Sequence, residues 1–150
     1  MAGAEACASP ERKRQRMSCT TAELMLRESL VVFFSDAEND RALAALLVDR
    51  DPGSLRDLDR FIRRRARFER VRVRDDRGNA HDLYMAYKAA LRSYQRQYFD
   101  ASRRKPETQF FLYSRTQMVR TSVAQLNFAR WLIRFGALEA YRAKNVAALK

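Results

Sequence analysis

Residues 121–134 place the strongest constraint on how this chain can fold. The segment reads TSVAQLNFARWLIR, and at helical spacing its apolar side chains cover most of the circumference. A helix that is apolar almost all round must be surrounded by other elements. We therefore predict a central buried helix near 122–134, capped at its start by Thr121 and stopped by Gly136.

Weaker signals on the N-terminal side of this helix predict an α+β fold. Apolar or alternating runs predict short strands around 30–34, 69–74 and 109–113. Ser54, followed three residues later by Asp57, has the spacing of a capping box and predicts the start of a helix. We expect one small α+β domain, in which a few short strands pack on four to five helices.

The composition suits a packed domain with a tail. Hydrophobic residues make up 47% of the chain and include nine Phe and six Tyr, which is enough to form a core. Residues 1–18 mix small polar residues with a basic cluster, and we interpret them as a disordered basic tail ahead of a single domain at 19–150. No apolar run is long enough to predict a membrane span, and no signal-peptide pattern is present.

Charge is the main sequence signal about function. The formal net charge is +12, and Arg outnumbers Lys by 25 to 5. Such an excess attracts polyanions over about a Debye length, ~8–10 Å in physiological salt, and guanidinium groups favour bidentate contacts with phosphate. A GC-rich genome would also raise the ratio of Arg to Lys, but it would not order the arginines along helices.

Two predicted helices carry ordered basic faces. The helix that starts at Ser54 places five arginines on one arc, and the helix from about Leu83 places three cations opposite its tyrosines. The candidate nucleic-acid-binding residues are Arg56, Arg60, Arg63, Arg64, Arg67, Lys88, Arg92 and Arg96. The alternative interpretation is that these cations only solvate the outside of ordinary helices.

No residue pattern of an enzyme is present. His81 is the sole histidine, and Cys7 and Cys19 are the only cysteines, whereas a structural zinc site needs about four such ligands. The chain has no glycine-rich phosphate loop and no nucleophile elbow. We therefore expect no catalytic residues, no metal site and no cofactor.

Three blocks of the sequence carry a family resemblance. They are VFF with the later SLRDLDRFIRRRAR at 54–67, YMAYKAALRSYQRQYFD at 84–100, and TSVAQLNFARWLIRFGALEAY at 121–141. Their YKxxLxxYxxxxFD and QLNFxRWxI patterns resemble a family of small uncharacterised proteins of nucleocytoplasmic large DNA viruses. The chain departs from that pattern after Asp100, where Ala101-Ser102 follows and the pattern has Pro, Phe and Cys. The resemblance implies a viral origin, a compact α+β domain, and a location in the host nucleus, the viral factory or the virion, but no activity.

These observations together predict a non-catalytic viral protein that binds nucleic acid or associates with the genome. Its arginine-rich helix faces would contact the phosphate backbone, with DNA favoured over RNA as the partner. The alternative is a virion structural or protein-interaction module that docks the same faces on an acidic viral protein. The sequence predicts no membrane partner and does not specify an oligomeric state.

Overall fold

Helices and two short hairpins alternate along the chain, which confirms the α+β class. The computed structural model describes the backbone of residues 10–149 and the side chains of residues 21–145. Within these residues the elements follow in the order α1 (Pro10–Phe33), α2 (Ala37–Ala44), α3 (Leu55–Phe61), β1 (Arg72–Arg74), β2 (Ala80–Asp82), α4 (Leu83–Tyr94), β3 (Glu107–Leu112), β4 (Gln117–Ser122), α5 (Val123–Arg134) and α6 (Ala137–Leu149). A π-helical segment, Ala45–Asp49, extends α2. Another, Ile62–Ala66, continues α3 into a last turn at Arg67–Glu69.

Helix α5 is the centre of the fold, as its apolar circumference predicts. Eight of its twelve side chains are buried, and the helix contacts α1, α2, α3, α6 and β4. Its N-cap is Ser122 and not Thr121, because the Ser122 hydroxyl accepts the backbone N–H of Gln125 at 3.1 Å. One of the buried side chains, Asn127, is polar. Its amide donates a hydrogen bond to the carbonyl of Tyr98 at 2.8 Å, so its burial leaves this donor satisfied.

The segment at 30–34 is not a strand, and this prediction is wrong. Residues 30–33 form the end of α1 and Phe34 follows directly; Leu30 and Phe34 are buried while Val31 and Val32 face outward. Burial at positions four residues apart is the periodicity of a helix. A short apolar run satisfies both strand and buried-helix patterns, so its composition alone does not distinguish them.

The boundary of the predicted tail also differs from the structure. Helix α1 begins at Pro10, so residues 10–18 have helical backbone instead of the disorder that we predict for residues 1–18. Residues 1–9 lie outside the described part of the chain. No helix in the described part is both long and apolar enough to cross a membrane.

Strands β3 and β4 form the longer hairpin, as the sequence predicts for 109–113. They pair antiparallel from Glu107 opposite Ser122 to Leu112 opposite Gln117. The buried carboxylate of Asp40, on α2, accepts the backbone N–H groups of the two residues that follow β3, at 3.0 and 2.8 Å. This charge-assisted pair of hydrogen bonds fastens the hairpin turn to α2.

Strands β1 and β2 form a shorter hairpin, and only β1 lies within the region 69–74 that the sequence predicts as a strand. Strand β1 begins only at Arg72, because Arg67–Glu69 still belongs to α3. In the turn, the Asp75 carboxylate accepts two backbone N–H groups, and His81 Nε2 lies 2.8 Å from its second oxygen. The hydrogen bond with His81 is the largest cause that lowers the pKa of Asp75 to about 2.

Candidate phosphate-binding surface

Helix α3 presents its arginines outward because its opposite face enters the core. The buried side chains on this helix are Leu55, Leu58, Phe61, Ile62 and Ala66. The predicted capping box at its start is present: Asp57 N–H donates to Ser54 Oγ at 3.1 Å, and Ser54 N–H donates to Asp57 Oδ2 at 3.0 Å. The core contacts fix which arc of α3 faces solvent, and the cap fixes where the helix begins.

The first two arginines of α3 lie at the rim of a cavity of about 700 Å³. Six cations line this space, which we call the basic cavity: Arg50, Arg56, Arg60, Arg104, Lys105 and Arg120. Two carboxylates accompany them. Asp57 lies 3.5 Å from the guanidinium of Arg60, and Glu107 lies 3.2 Å from that of Arg120. The cations therefore exceed the acids by four in this cavity.

Arg63 connects α3 to α4 through a shared carboxylate. Its Nε donates to Asp59 Oδ2 at 2.9 Å, and the hydroxyl of Tyr87 donates to Asp59 Oδ1 at 2.6 Å. The bond with Asp59 raises the pKa of Arg63, whereas burial is the largest cause that raises the pKa of Tyr87. Arg63 therefore sits directly beside α4 and is partly neutralised there.

The two predicted basic faces meet around the ring of Tyr84. The guanidinium carbon of Arg67, at the end of α3, lies 5.1 Å from the ring centroid. The ammonium of Lys88, on α4, lies 5.9 Å from the same centroid. Both distances fall within the range of cation–π attraction, which holds two like charges near each other on one surface.

The other predicted cations differ in their surroundings. Arg64 and Arg92 are exposed, and neither has an ion pair or a side-chain hydrogen bond within the described residues. Arg96 does not belong to the face of α4 as predicted, because the helix ends at Tyr94 and Gln95 takes a positive φ of 65°. Arg96 follows in a 3₁₀ turn and pairs with Asp100 at 3.4 Å.

The structure thus divides the eight predicted residues between two places. Arg56 and Arg60 line the basic cavity. We call the remaining six the α3–α4 face: Arg63, Arg64, Arg67, Lys88, Arg92 and Arg96. The charges of Arg63 and Arg96 both act to lower the pKa of Tyr87, on α4. Arg96 therefore lies near this face although it follows the end of α4.

Sequence reasoning missed four cations of the basic cavity. Arg50 follows α2, Arg104 and Lys105 precede β3, and Arg120 lies on β4. The consecutive cations Arg103, Arg104 and Lys105 are a visible signal of local positive charge. Their position against α3 depends on tertiary packing, which no local pattern indicates.

The described residues contain no group of three or more His, Cys, Asp or Glu side chains that could hold a metal ion. No curated protein and no solved structure matches the chain. The model of a family of unknown function, DUF7197, matches residues 10–146, and the chain therefore belongs to this family.

Proposed function

We propose that this protein binds the phosphate backbone of nucleic acid without catalysing a reaction, and that the α3–α4 face is its contact surface. The observation that carries the proposal is the meeting of two basic helix faces around Tyr84, where Arg67 and Lys88 share one ring. Five cations on these two adjacent helices, with Arg96 in the turn that follows α4, can neutralise several phosphates at once. Such contacts supply affinity and orientation but read no base sequence.

The balance of charge on this face supports the proposal. Asp59 and Asp100 offset two of its six cations, each through an ion pair with one arginine. Among the described residues Arg64 and Arg92 make no side-chain hydrogen bond or ion pair, and both are guanidinium groups that can hold phosphate with two parallel bonds. The net charge of +12 adds long-range attraction that steers a polyanion toward the protein.

DNA is the partner that we favour over RNA. The support is the resemblance to proteins of large DNA viruses, and the same resemblance supports a location in the host nucleus, the viral factory or the virion. These assignments belong to the proposal. Competition between duplex DNA and duplex RNA of equal length for the protein measures the preference directly.

Salt dependence is the decisive test of backbone binding. Fluorescence anisotropy with labelled duplex DNA gives dissociation constants at 50 and 200 mM salt. If all six cations of the face neutralise phosphates, affinity falls by roughly a thousandfold between these concentrations. Absence of binding at 50 mM, or an affinity that salt does not change, contradicts the proposal.

A matched pair of variants tests the surface itself. Arg64→Gln with Arg92→Gln removes two cations of the face that have no ion pair in the described part of the chain. Arg41→Gln with Arg77→Gln removes the same charge from α2 and the β1–β2 turn. We expect the first pair to lower the salt slope by about two and the second to leave it unchanged. Equal losses in both pairs would assign the binding to net charge and not to this face.

An acidic protein partner is the second candidate function. Phe68, 88% exposed, adjoins Arg67 in sequence, and Met85, 61% exposed, adjoins Tyr84. Aromatic, methionine and arginine side chains together are typical of protein interfaces. A poly-glutamate peptide of the same charge as the DNA separates the two: tighter binding of the peptide, lost in Phe68→Ser, favours a protein partner.

A further inference from the structure

The basic cavity is formed by segments that lie far apart in the sequence. Arg50 comes from the end of the α2 segment, Arg56 from the first turn of α3, Arg104 from the loop before β3, and Arg120 from β4. A helix with a merely solvated exterior does not gather cations from four separate segments. The fold itself therefore concentrates positive charge at this place.

Most of that charge has no internal counter-ion. Arg50, Arg56, Arg104 and Lys105 have no carboxylate within ion-pair distance in the described part of the chain. Asp57 is held by the capping box as well as by Arg60, and its pKa is lowered chiefly by the backbone hydrogen bond of Ser54. The cations of the cavity are exposed to solvent, so a bound anion can reach them, and it would reduce the repulsion between like charges that line one concave surface.

The size and lining of the cavity restrict the anion. A volume of about 700 Å³ falls in the range of small-ligand sites, roughly 300–1,000 Å³. A duplex needs a more extended surface, since specific protein–DNA interfaces bury about 1,000 Å² or more of protein. Among the described residues the lining contains no aromatic side chain on which a base could stack. Besides its charged groups it has aliphatic residues such as Leu46 and Val119 and polar ones such as Thr121 and Gln125.

We infer that the basic cavity binds a small molecule that carries two or more phosphate groups. One phosphate monoester has a charge of about −1.5 to −2 at neutral pH, so at least two are needed to balance the four excess cations. The phosphates make the recognised part of the ligand, because the lining offers cations and no stacking platform for a base. None of the six cations of the α3–α4 face lines this cavity, and the inference does not depend on nucleic-acid binding.

Isothermal titration calorimetry of the full chain with sodium tripolyphosphate, in buffer with 50 mM salt, tests the inference. We expect one ligand per chain, and binding of inorganic phosphate at least tenfold weaker because it carries a single phosphate group. Arg104→Gln with Lys105→Gln removes two side chains that make no ion pair within the described residues. Loss of two charge-assisted contacts is expected to weaken tripolyphosphate binding roughly a hundredfold.

Two controls keep the result interpretable. Arg41→Gln with Arg77→Gln removes equal charge outside the cavity and is expected to leave the affinity unchanged within about twofold. If the Arg104→Gln, Lys105→Gln protein melts at a lower temperature than the wild type, Arg50→Gln with Arg56→Gln removes two cations from another part of the cavity and is expected to weaken binding in the same way. Absence of tripolyphosphate binding, or equal weakening by the control pair, overturns the inference.

The same variants distinguish this inference from the proposed function. Duplex DNA and a single-stranded oligonucleotide are titrated against the wild type and the Arg104→Gln, Lys105→Gln protein. Loss of tripolyphosphate binding with unchanged binding of both nucleic acids supports a small-molecule site. A parallel loss of oligonucleotide binding would assign the cavity to the phosphates of a strand and overturn the inference. Binding of duplex DNA without binding of tripolyphosphate supports the proposed function and overturns the inference.

Discussion

Replacing Gly136 with alanine is expected to destabilise the protein more than any other glycine-to-alanine change at a positive φ in the described chain. Gly136 joins α5 to α6 with a φ of 70°, a region that costs a residue with a Cβ about 1–2 kcal/mol. An added Cβ would also lie 2.7 Å from the carbonyl oxygen of Arg74 in β1. That oxygen belongs to backbone and not to a flexible side chain, so β1 or the α5–α6 connection must move.

Gly78 provides the matched control for this change. It also has a positive φ, 87°, but an added Cβ would meet no atom within 4 Å. Gly78→Ala therefore carries the conformational cost of about 1–2 kcal/mol alone. Gly136→Ala adds the cost of forced overpacking, typically 1–3 kcal/mol, which gives a total loss of about 2–5 kcal/mol.

Urea denaturation measures both losses with an intrinsic probe. Trp131 is the sole tryptophan, and it is buried and stacked on Phe135 at a centroid distance of 5.2 Å, so its fluorescence reports loss of the core. We expect the midpoint to fall further for Gly136→Ala than for Gly78→Ala, with equal slopes against urea. A loss at Gly136 equal to or smaller than that at Gly78 would refute the close approach of β1 to this connection.

Three further changes test other contacts. Asp40→Ala removes the buried acceptor of two N–H groups in the β3–β4 turn and should lower the free energy of unfolding by about 2–4 kcal/mol in urea titrations. Ser54→Ala removes the helix cap and should cost about 1 kcal/mol, while Ser54→Asp should retain most of the stability. The folded-state pKa of Asp75, about 2, lies below its usual 3.8, so the carboxylate contributes stability above pH 4 that is lost as the pH falls toward 2. In Asp75→Asn the melting temperature should fall less between pH 4 and pH 2 than in the wild type. An unchanged fall would contradict the pairing of Asp75 with His81.

The sequence predicts those parts of the fold whose signals are local. The apolar circumference of 122–134 specifies a buried helix, and Ser54 with Asp57 specifies a helix start. The run at 30–34 is misassigned because its helical periodicity becomes visible only when the preceding residues of α1 are counted with it. The register of β3 with β4 and the position of α1 against α5 depend on long-range packing, which a local pattern does not contain.

The same distinction between local signals and long-range packing applies to the candidate phosphate-binding residues. Spacing correctly places the α3 arginines outside the core, because the opposite face of α3 is apolar. It fails at Arg96, since a residue with positive φ, Gln95, separates this arginine from α4. The basic cavity could not be predicted, because its cations come from four segments that only the folded chain brings together.

The excess of positive charge is a stable property of this fold and not an accident of side-chain positions. Each carboxylate that pairs with a predicted cation also has a second duty: Asp57 caps α3, Asp59 accepts the hydroxyl of a tyrosine on α4, and Asp100 accepts a backbone N–H two residues on. These second hydrogen bonds favour the observed positions of the three carboxylates. Surface ion pairs of this kind contribute at most about 1 kcal/mol each, so an incoming phosphate competes for the paired arginines at small cost. Among the described residues, most cations of the α3–α4 face and of the basic cavity therefore have no carboxylate within ion-pair distance, which is the condition that both proposed sites require.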